Sequence, residues 1–284
     1  MVRGYKTLAV RTRYWRPRDD YLKQIVNSIE GRVEDGDVVT ISEKAISTAL
    51  GSIVDESTVQ PCWLARFLAK IWMRWVWGYI LGPLCHHKKK TIRHLREYPI
   101  REGSAHKQVA LERVGFLQAL MFGSEGGIDA SDLPYSYVSL HLRNAPRIAQ
   151  AIQKCIKSKL GKNVAVMIID SDKTYSLGRF HFTPRPKPIK GIHSLGGILA
   201  YAIGRSFRMK QRATPIAVAG SDMPIEKLLE ISETANRVRG SGAGRTVWDM
   251  AETFKVPITR VTWDMLEKVV HKPIVLIRFY RSET

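Results

Sequence analysis

Six consecutive apolar residues, Val164-Ala-Val-Met-Ile-Ile169, run straight into Asp170-Ser171-Asp172. A half-exposed strand alternates apolar and polar residues, so a short, unbroken apolar run bounded by polar residues predicts a strand covered on both faces. Such cover is supplied by helices, and the chain is therefore expected to be an α/β protein, with α+β mixed sheets. Two further segments read as strands of the same body: Asp37–Ser42, which leaves the turn signal Glu34-Asp35-Gly36, and Thr214–Gly220. A last strand is predicted at Ile274–Tyr280. If the run stops at Asp170, its carboxylates sit at a strand's carboxyl end, where open α/β sheets bind ligands.

Helices are predicted at Glu43–Ala49, ending at Gly51, and at Arg147–Leu160, stopped by Gly161. Another follows Asp222 as cap, with Pro224 in its first turn and Gly240 at its end, and one more covers Trp263–Val270. Alternation from Lys107 to Leu120 predicts two strands broken at Gly115, leading to the glycine-rich loop Gly123–Asp132. Phe182–Lys190, with Pro184, Pro186 and Pro188, is expected to be an extended loop.

Trp63–Ile80 places apolar residues three and four apart, with Arg66, Lys70 and Arg74 on the other face, and is closed by Gly82-Pro83. Those three cations weigh against a membrane span. The helix is expected to pack on the body or on a second subunit, an interfacial position being the alternative. The adjacent His86 and His87 share neither a helix face nor a strand face, fit no zinc spacing, and are expected at the surface.

Across 284 residues, 45 Lys and Arg outnumber 26 Asp and Glu, a formal charge of +19, so the surface should attract polyanions or anionic substrates. Cys62, Cys85 and Cys155 are too few and too scattered for a disulfide framework. Arginines interrupt the start before any apolar leader forms, and a cytoplasmic location is expected.

Two acidic loops carry the candidate chemistry. Mg²⁺ or Mn²⁺ takes hard oxygen ligands and often only one or two carboxylates, a need that Asp129 and Asp170 with the Ser171 hydroxyl would meet. The alternative is that both aspartates merely cap turns. Arg239-Gly-Ser-Gly-Ala-Gly-Arg-Thr246 follows a helix instead of a strand and lacks the lysine of a Walker loop, and its backbone, flanked by Arg239, Arg245 and Thr246, is either a phosphate nest or a helix C-cap and connecting loop. The competing reading is a basic RNA-binding or partner-binding protein. In it the N-terminal arginines, Lys88–Arg96, Arg185–Lys190 and Arg205–Arg212 meet phosphates, and Tyr14, Trp15 and Phe207 stack on bases.

Glu34-Asp-Gly-Asp-Val-Val-Thr-Ile-Ser-Glu-Lys-Ala-Ile-Ser47, Gly127-Ile-Asp-Ala-Ser131 and Lys162-Asn-Val-Ala-Val-Met-Ile-Ile-Asp-Ser171 occur in an order that resembles the γ-glutamyl ligases of the deazaflavin coenzyme F420. The resemblance spans roughly residues 15 to 255, with an interruption around residues 57 to 100 that holds the tryptophan-rich helix. It implies a ligase-like region over 1–255, with residues 256–284 adding a helix and strand to the same body. It also implies a homodimer, GTP and divalent metal, and a carboxylate activated by phosphoryl transfer for attack by an amino acid amine.

Asp129, Asp170 and Ser171 match metal ligands of the family, and Glu43, Lys44 and Asp132 match nucleotide contacts. Ser241 stands where a glutamine is sometimes found. Lys44, Lys173 and Arg245 are the cations expected to assist the transfer. The chain departs from the family at Ser47-Thr-Ala-Leu-Gly-Ser52, where Thr48 replaces a lysine expected at the nucleotide.

Overall fold

The apolar run lies at the middle of the main sheet in the computed structural model, which describes residues 3–123 and 125–281. The strands are β1 (Arg3–Thr12), β2 (Val38–Ser42), β3 (Ile53–Asp55), β4 (Tyr137–Ser139), β5 (Ala165–Leu177), β6 (Phe180–Thr183), β7 (His193–Ser194), β8 (Lys210–Ala219) and β9 (His271–Arg281). The main sheet is mixed, in the order β1-β9-β2-β5-β6-β7 with β8 also paired to β5, while β3 and β4 form a separate ribbon. β2 and β5 run parallel, and β9 is antiparallel to both β1 and β2.

Alternate residues of the central strands enter two different cores, as the period of two requires. Val39, Ile41, Val166 and Ile168 pack with Ile25, Ile29, Ile46, Ala149, Ile152 and Ile156 from the helices Tyr21–Ile29, Glu43–Ala49 and Ala145–Leu160. Val38, Met167 and Ile169 pack on the opposite face with Leu228, Ile231 and Ala235 of the helix Ile225–Arg239. Both faces of β5 are thus covered, and Gly161, at φ 69°, ends the helix that precedes it.

Several expectations are corrected. β5 does not stop at Asp170 but continues to Leu177. Its pairing with β8 steps from Asp170↔Thr214 to Lys173↔Ala213, so Ser171 and Asp172 are extra residues in a bulge. Lys107–Leu120 is not a pair of strands. It belongs to the helices Ile100–Arg113 and Phe116–Ala119, and the buried positions of the longer helix, Gly103, Ser104, Ala105, Lys107, Val109 and Ala110, include three in succession, which a half-exposed strand does not allow. Gly115, at φ 98°, separates the two helices.

Pro224, not Asp222, occupies the cap position of the helix Ile225–Arg239. The helix at Trp263 ends at Glu267, since β9 already begins at His271. Within the expected loop Gly123–Asp132, Ser124 lies outside the described residues, and the segment forms bridges at Glu125↔Ile128 and Asp129↔Ser139.

The tryptophan-rich segment is helical, as expected, running Trp63–Phe67 and then Leu68–Leu81 with wide turns in which Gly82 N–H bonds Trp77 C=O. Gly82-Pro83 does not close it, because one more helical turn covers Gly82–Leu84. The indole N–H groups of Trp72 and Trp77 both donate to the Leu120 carbonyl at 2.8 Å, which pins the helix to the body. His86 is exposed, as expected, whereas His87 is half-buried: it stacks on Tyr201 and meets Trp77 and Phe122, and burial pushes its pKa down to about 4.

Candidate active site

The helix Glu43–Ala49 begins where β2 ends, and its first two residues divide the acidic groups between them. Lys44 Nζ lies 2.7 Å from Asp129 Oδ2 and 3.8 Å from Asp132 Oδ2, and donates to the Ser131 hydroxyl at 2.7 Å. Burial opposes charge on Asp129 and on Lys44, but their mutual attraction prevails, holding the carboxyl below its usual range and raising the ammonium. For Asp132 burial wins over the pull of Lys44, and its carboxyl is shifted up.

Glu43 points the other way, into the interior. Arg185 Nη2 meets Glu43 Oε1 at 2.9 Å, while its Nη1 binds Asp170 Oδ2 and stands 3.7 Å from Asp172 Oδ2. Glu43 also accepts from Leu142 N at 2.9 Å. Burial raises the Glu43 pKa to about 7, Asp170 adding to the rise and Arg185 opposing it. Gly127, at φ 99°, passes so close that a Cβ there would fall 2.6 Å from Arg185 Nη1. This position requires glycine on both counts.

The two loops meet through Asp132, whose Oδ1 accepts from Ala243 N at 2.7 Å. Gly242 lies against the same carboxylate, with φ 56° and 2.6 Å from a built Cβ to Asp132 Oδ1, so the glycine-rich exit folds over the acidic loop only because it has no side chain there. Arg239, the last residue of its helix, is within electrostatic reach of Asp170, Asp132 and Asp129 together. Its Nη1 is buried with no hydrogen-bond acceptor among the described residues.

These elements enclose a cleft of about 1210 Å³. Of the residues singled out from sequence, Lys44, Asp129, Asp132, Ser171, Lys173, Ser241 and Arg245 line it. Glu43 and Asp170 are not among the lining residues: they lie behind the wall, on Arg185. The bulge explains the difference, since its extra residues Ser171 and Asp172 are turned to the cleft while Asp170 keeps its ladder position. Lys173 is held by Glu233 at 2.9 Å. Thr48 also lines the cleft, with its hydroxyl donating to Lys44 C=O at 2.9 Å.

Arg185 was not legible as a site residue, because it sits in a proline-rich basic loop that reads as solvated. Nor was the buried network at the far wall, where His106 bridges Glu56 (2.7 Å) and Glu125 (2.8 Å) and Lys107 meets Glu125 at 2.6 Å. The RNA-binding surface loses members for the same reason: Arg185 and Arg212 are buried in ion pairs, and Tyr14 and Trp15 are core residues unable to stack on bases.

A family model described as F420-0:gamma-glutamyl ligase matches residues 9–246. The chain belongs to the F420-0:gamma-glutamyl ligase family. It is also 34% identical, over an alignment of 291 positions covering 97% of this chain and 98% of the relative, to the uncharacterized protein MJ1361 of Methanocaldococcus jannaschii. The family assignment covers the acidic loop, the bulged strand and the glycine-rich exit, and supports a ligase role. The mixed sheet agrees with the α/β class of the family.

The family resemblance also brings divalent metal. Among the described residues no three His, Cys, Asp or Glu side chains converge as a metal cage. The donors on the cleft wall are nonetheless hard carboxylate oxygens, and Mg²⁺ or Mn²⁺ held by one or two carboxylates completes its shell with water and phosphate. By donor chemistry Asp129 and Asp132 fit such an ion, whereas Asp170 is paired with Arg185 behind the wall.

Proposed function

We propose that this chain is a nucleotide-dependent acid–amino acid ligase of the γ-glutamyl type, using GTP, that activates a carboxylate as an acyl phosphate and passes the acyl group to an amine. The observation that carries this reading is Arg239, a half-buried cation whose buried Nη1 is unsatisfied, beside the glycine-rich exit and within reach of three aspartates. A buried guanidinium N–H without an acceptor is costly, and a phosphate oxygen is the anionic partner it suits.

In this reading Arg239, Arg245 and the backbone near Ser241 bind phosphates, while Lys44 shifts from Asp129 toward the transferring group and neutralises its charge. Asp129 and Asp170 would hold the Mg²⁺ or Mn²⁺, which supplies charge neutralisation at the phosphate oxygens when bound. Lys173, now on Glu233, supplements the cations at the bulge. A substrate carboxylate oxygen bonds to the terminal phosphorus of GTP, the P–O bond to the nucleoside diphosphate breaks, and the diphosphate leaves with that electron pair. The amine nitrogen then bonds to the acyl carbon, phosphate leaves with the C–O electron pair, and the nitrogen loses a proton. Arg185 keeps Glu43 in place behind the wall, and Asp170 would exchange Arg185 for the ion.

Thermal denaturation with GTP, ATP and Mn²⁺, singly and combined, tests the reading. A nucleotide at about one hundred times its dissociation constant should add roughly 2.7 kcal/mol of stability, and Arg239→Ala and Asp129→Asn should each remove most of that gain. Absence of stabilisation by either nucleotide with metal present would overturn it.

A further inference from the structure

The helix Trp63–Leu84 plays no part in the chemistry above except for Arg66, which reaches the cleft wall. Its inner face is fully engaged: Ala65, Leu68, Ala69, Met73 and Trp77 are buried. Its outer face carries a second apolar row, Trp63, Phe67, Ile71, Trp75 and Tyr79, spaced by four and all exposed, with Trp63 at 76% and Trp75 at 60%. Trp75 and Tyr79 stack on each other, ring centroids 5.4 Å apart, and both stay exposed. Ile80 and Leu84 continue the row, and the helix Ile198–Ser206, against which Gly82–Leu84 packs, exposes Leu199 and Ile203, with Phe207 just beyond it. Large exposed aromatic and aliphatic side chains in contiguous rows mark an interaction surface.

Charge selects what covers it. Arg66, Lys70 and Arg74 each precede a member of the row by one residue, so a basic stripe runs beside the apolar one, roughly a quarter turn round the axis. Arg96 lies over the Tyr79 ring at 4.2 Å, and Lys88 and Lys89 are exposed beyond the helix end. Between Glu56 and Glu97 there are eight Lys and Arg and no Asp or Glu. A second copy docked on this face by a two-fold axis would bring two basic stripes together with no acidic residue of the segment to answer them. An anionic lipid surface answers both stripes at once, because tryptophan and tyrosine settle at headgroup depth while lysine and arginine meet the headgroups. No described helix is long and apolar enough to cross a membrane, so the geometry is that of a helix lying in the interface.

We propose that the helix Trp63–Leu84 docks this protein onto anionic membranes, with its aromatic row in the bilayer interface. Through Arg66 the docked helix brings the cleft wall near the headgroups. Self-association through other faces is unaffected.

Flotation of the full chain with vesicles tests this, using phosphatidylcholine alone and equimolar phosphatidylcholine and phosphatidylserine. Binding to the anionic vesicles that weakens with salt, with a blue shift of tryptophan emission, is the expected result. Lys70→Glu changes the surface charge by two and should weaken binding roughly thirty-fold. Trp75→Gln and Phe67→Gln leave the charge unchanged and should each abolish most of the binding, while their melting temperatures stay at the wild-type value because both side chains are exposed. Three results would overturn the proposal. One is no binding to anionic vesicles at low salt, and another is binding by both Gln variants equal to wild type, which is adsorption by net charge alone. The third is a wild-type dimer that Trp75→Gln converts to monomer without any vesicle binding, which assigns the face to a second copy.

Discussion

Glu43→Gln isolates the cost of keeping a carboxylate inside the protein. The Glu43 pKa is raised from 4.5 to about 7, burial being the largest cause and Asp170 adding to it against Arg185. The folded carboxyl therefore keeps its proton to a higher pH than the unfolded one. Between about 4.5 and 7 the native state binds more protons, and stability is lost as pH rises through that window. At about 1.36 kcal/mol per pH unit, the loss is about 3 kcal/mol.

Glutamine resembles the protonated acid and still accepts from Leu142 N. The stability difference between Glu43→Gln and wild type should be small near pH 4.5 and grow by about 3 kcal/mol in the variant's favour by pH 8. For a chain of this size that is roughly 6 to 12 °C in melting temperature. Comparing the two proteins cancels the opposing slopes of His87 and His271, each lowered to about 4 chiefly by burial. Urea titrations of both proteins from pH 4.5 to 8 provide the measurement. Two curves that stay parallel over that range would show that burial does not raise Glu43, and the account of the Arg185 nest would fail with it.

Three further outcomes are expected. Trp77→Ala, which empties a fully buried site and removes a bond to Leu120, should cost about 3–5 kcal/mol, whereas Trp75→Ala on the exposed face should stay within about 0.5 kcal/mol, both read by chemical denaturation. Gly204→Ala would set a methyl 2.2 Å from the Tyr175 ring and should destabilise the protein by about 1–3 kcal/mol with its circular dichroism spectrum retained. Burial opposes charge on His106, but Glu56 and Glu125 outweigh it and raise its pKa well above 6.5. Its stabilisation is thus complete below 6.5 and fades as pH rises toward the folded value, a slope that urea titrations above pH 6.5 should find missing in His106→Gln.

The central strands were readable because a buried strand leaves a local mark. Val164–Ile169 is apolar without a break, and its two faces do enter two cores. The helix Ala145–Leu160 was equally legible, since its apolar spacing and Gly161 are properties of neighbouring residues. Lys107–Leu120 misled because a partly apolar helix whose buried positions include Ser104 and Lys107 does not show a helical stripe. The polarity of Lys107 is answered by Glu125 and Met121 C=O, which arrive from elsewhere in the chain.

The chain's own order of residues determined the covered strand, the tryptophan-rich amphipathic helix and the acidic and glycine-rich loops. Each of these depends on interactions within a few residues. Only the tertiary structure decided which carboxylates face the cleft. Asp129 and Asp170 look alike in sequence, but a two-residue bulge and a guanidinium from the proline-rich loop turn Asp170 inward, while Lys44 holds Asp129 at the wall. Where a charge resides depends on the dielectric and counter-ions that distant segments bring to it, and no local pattern carries that information.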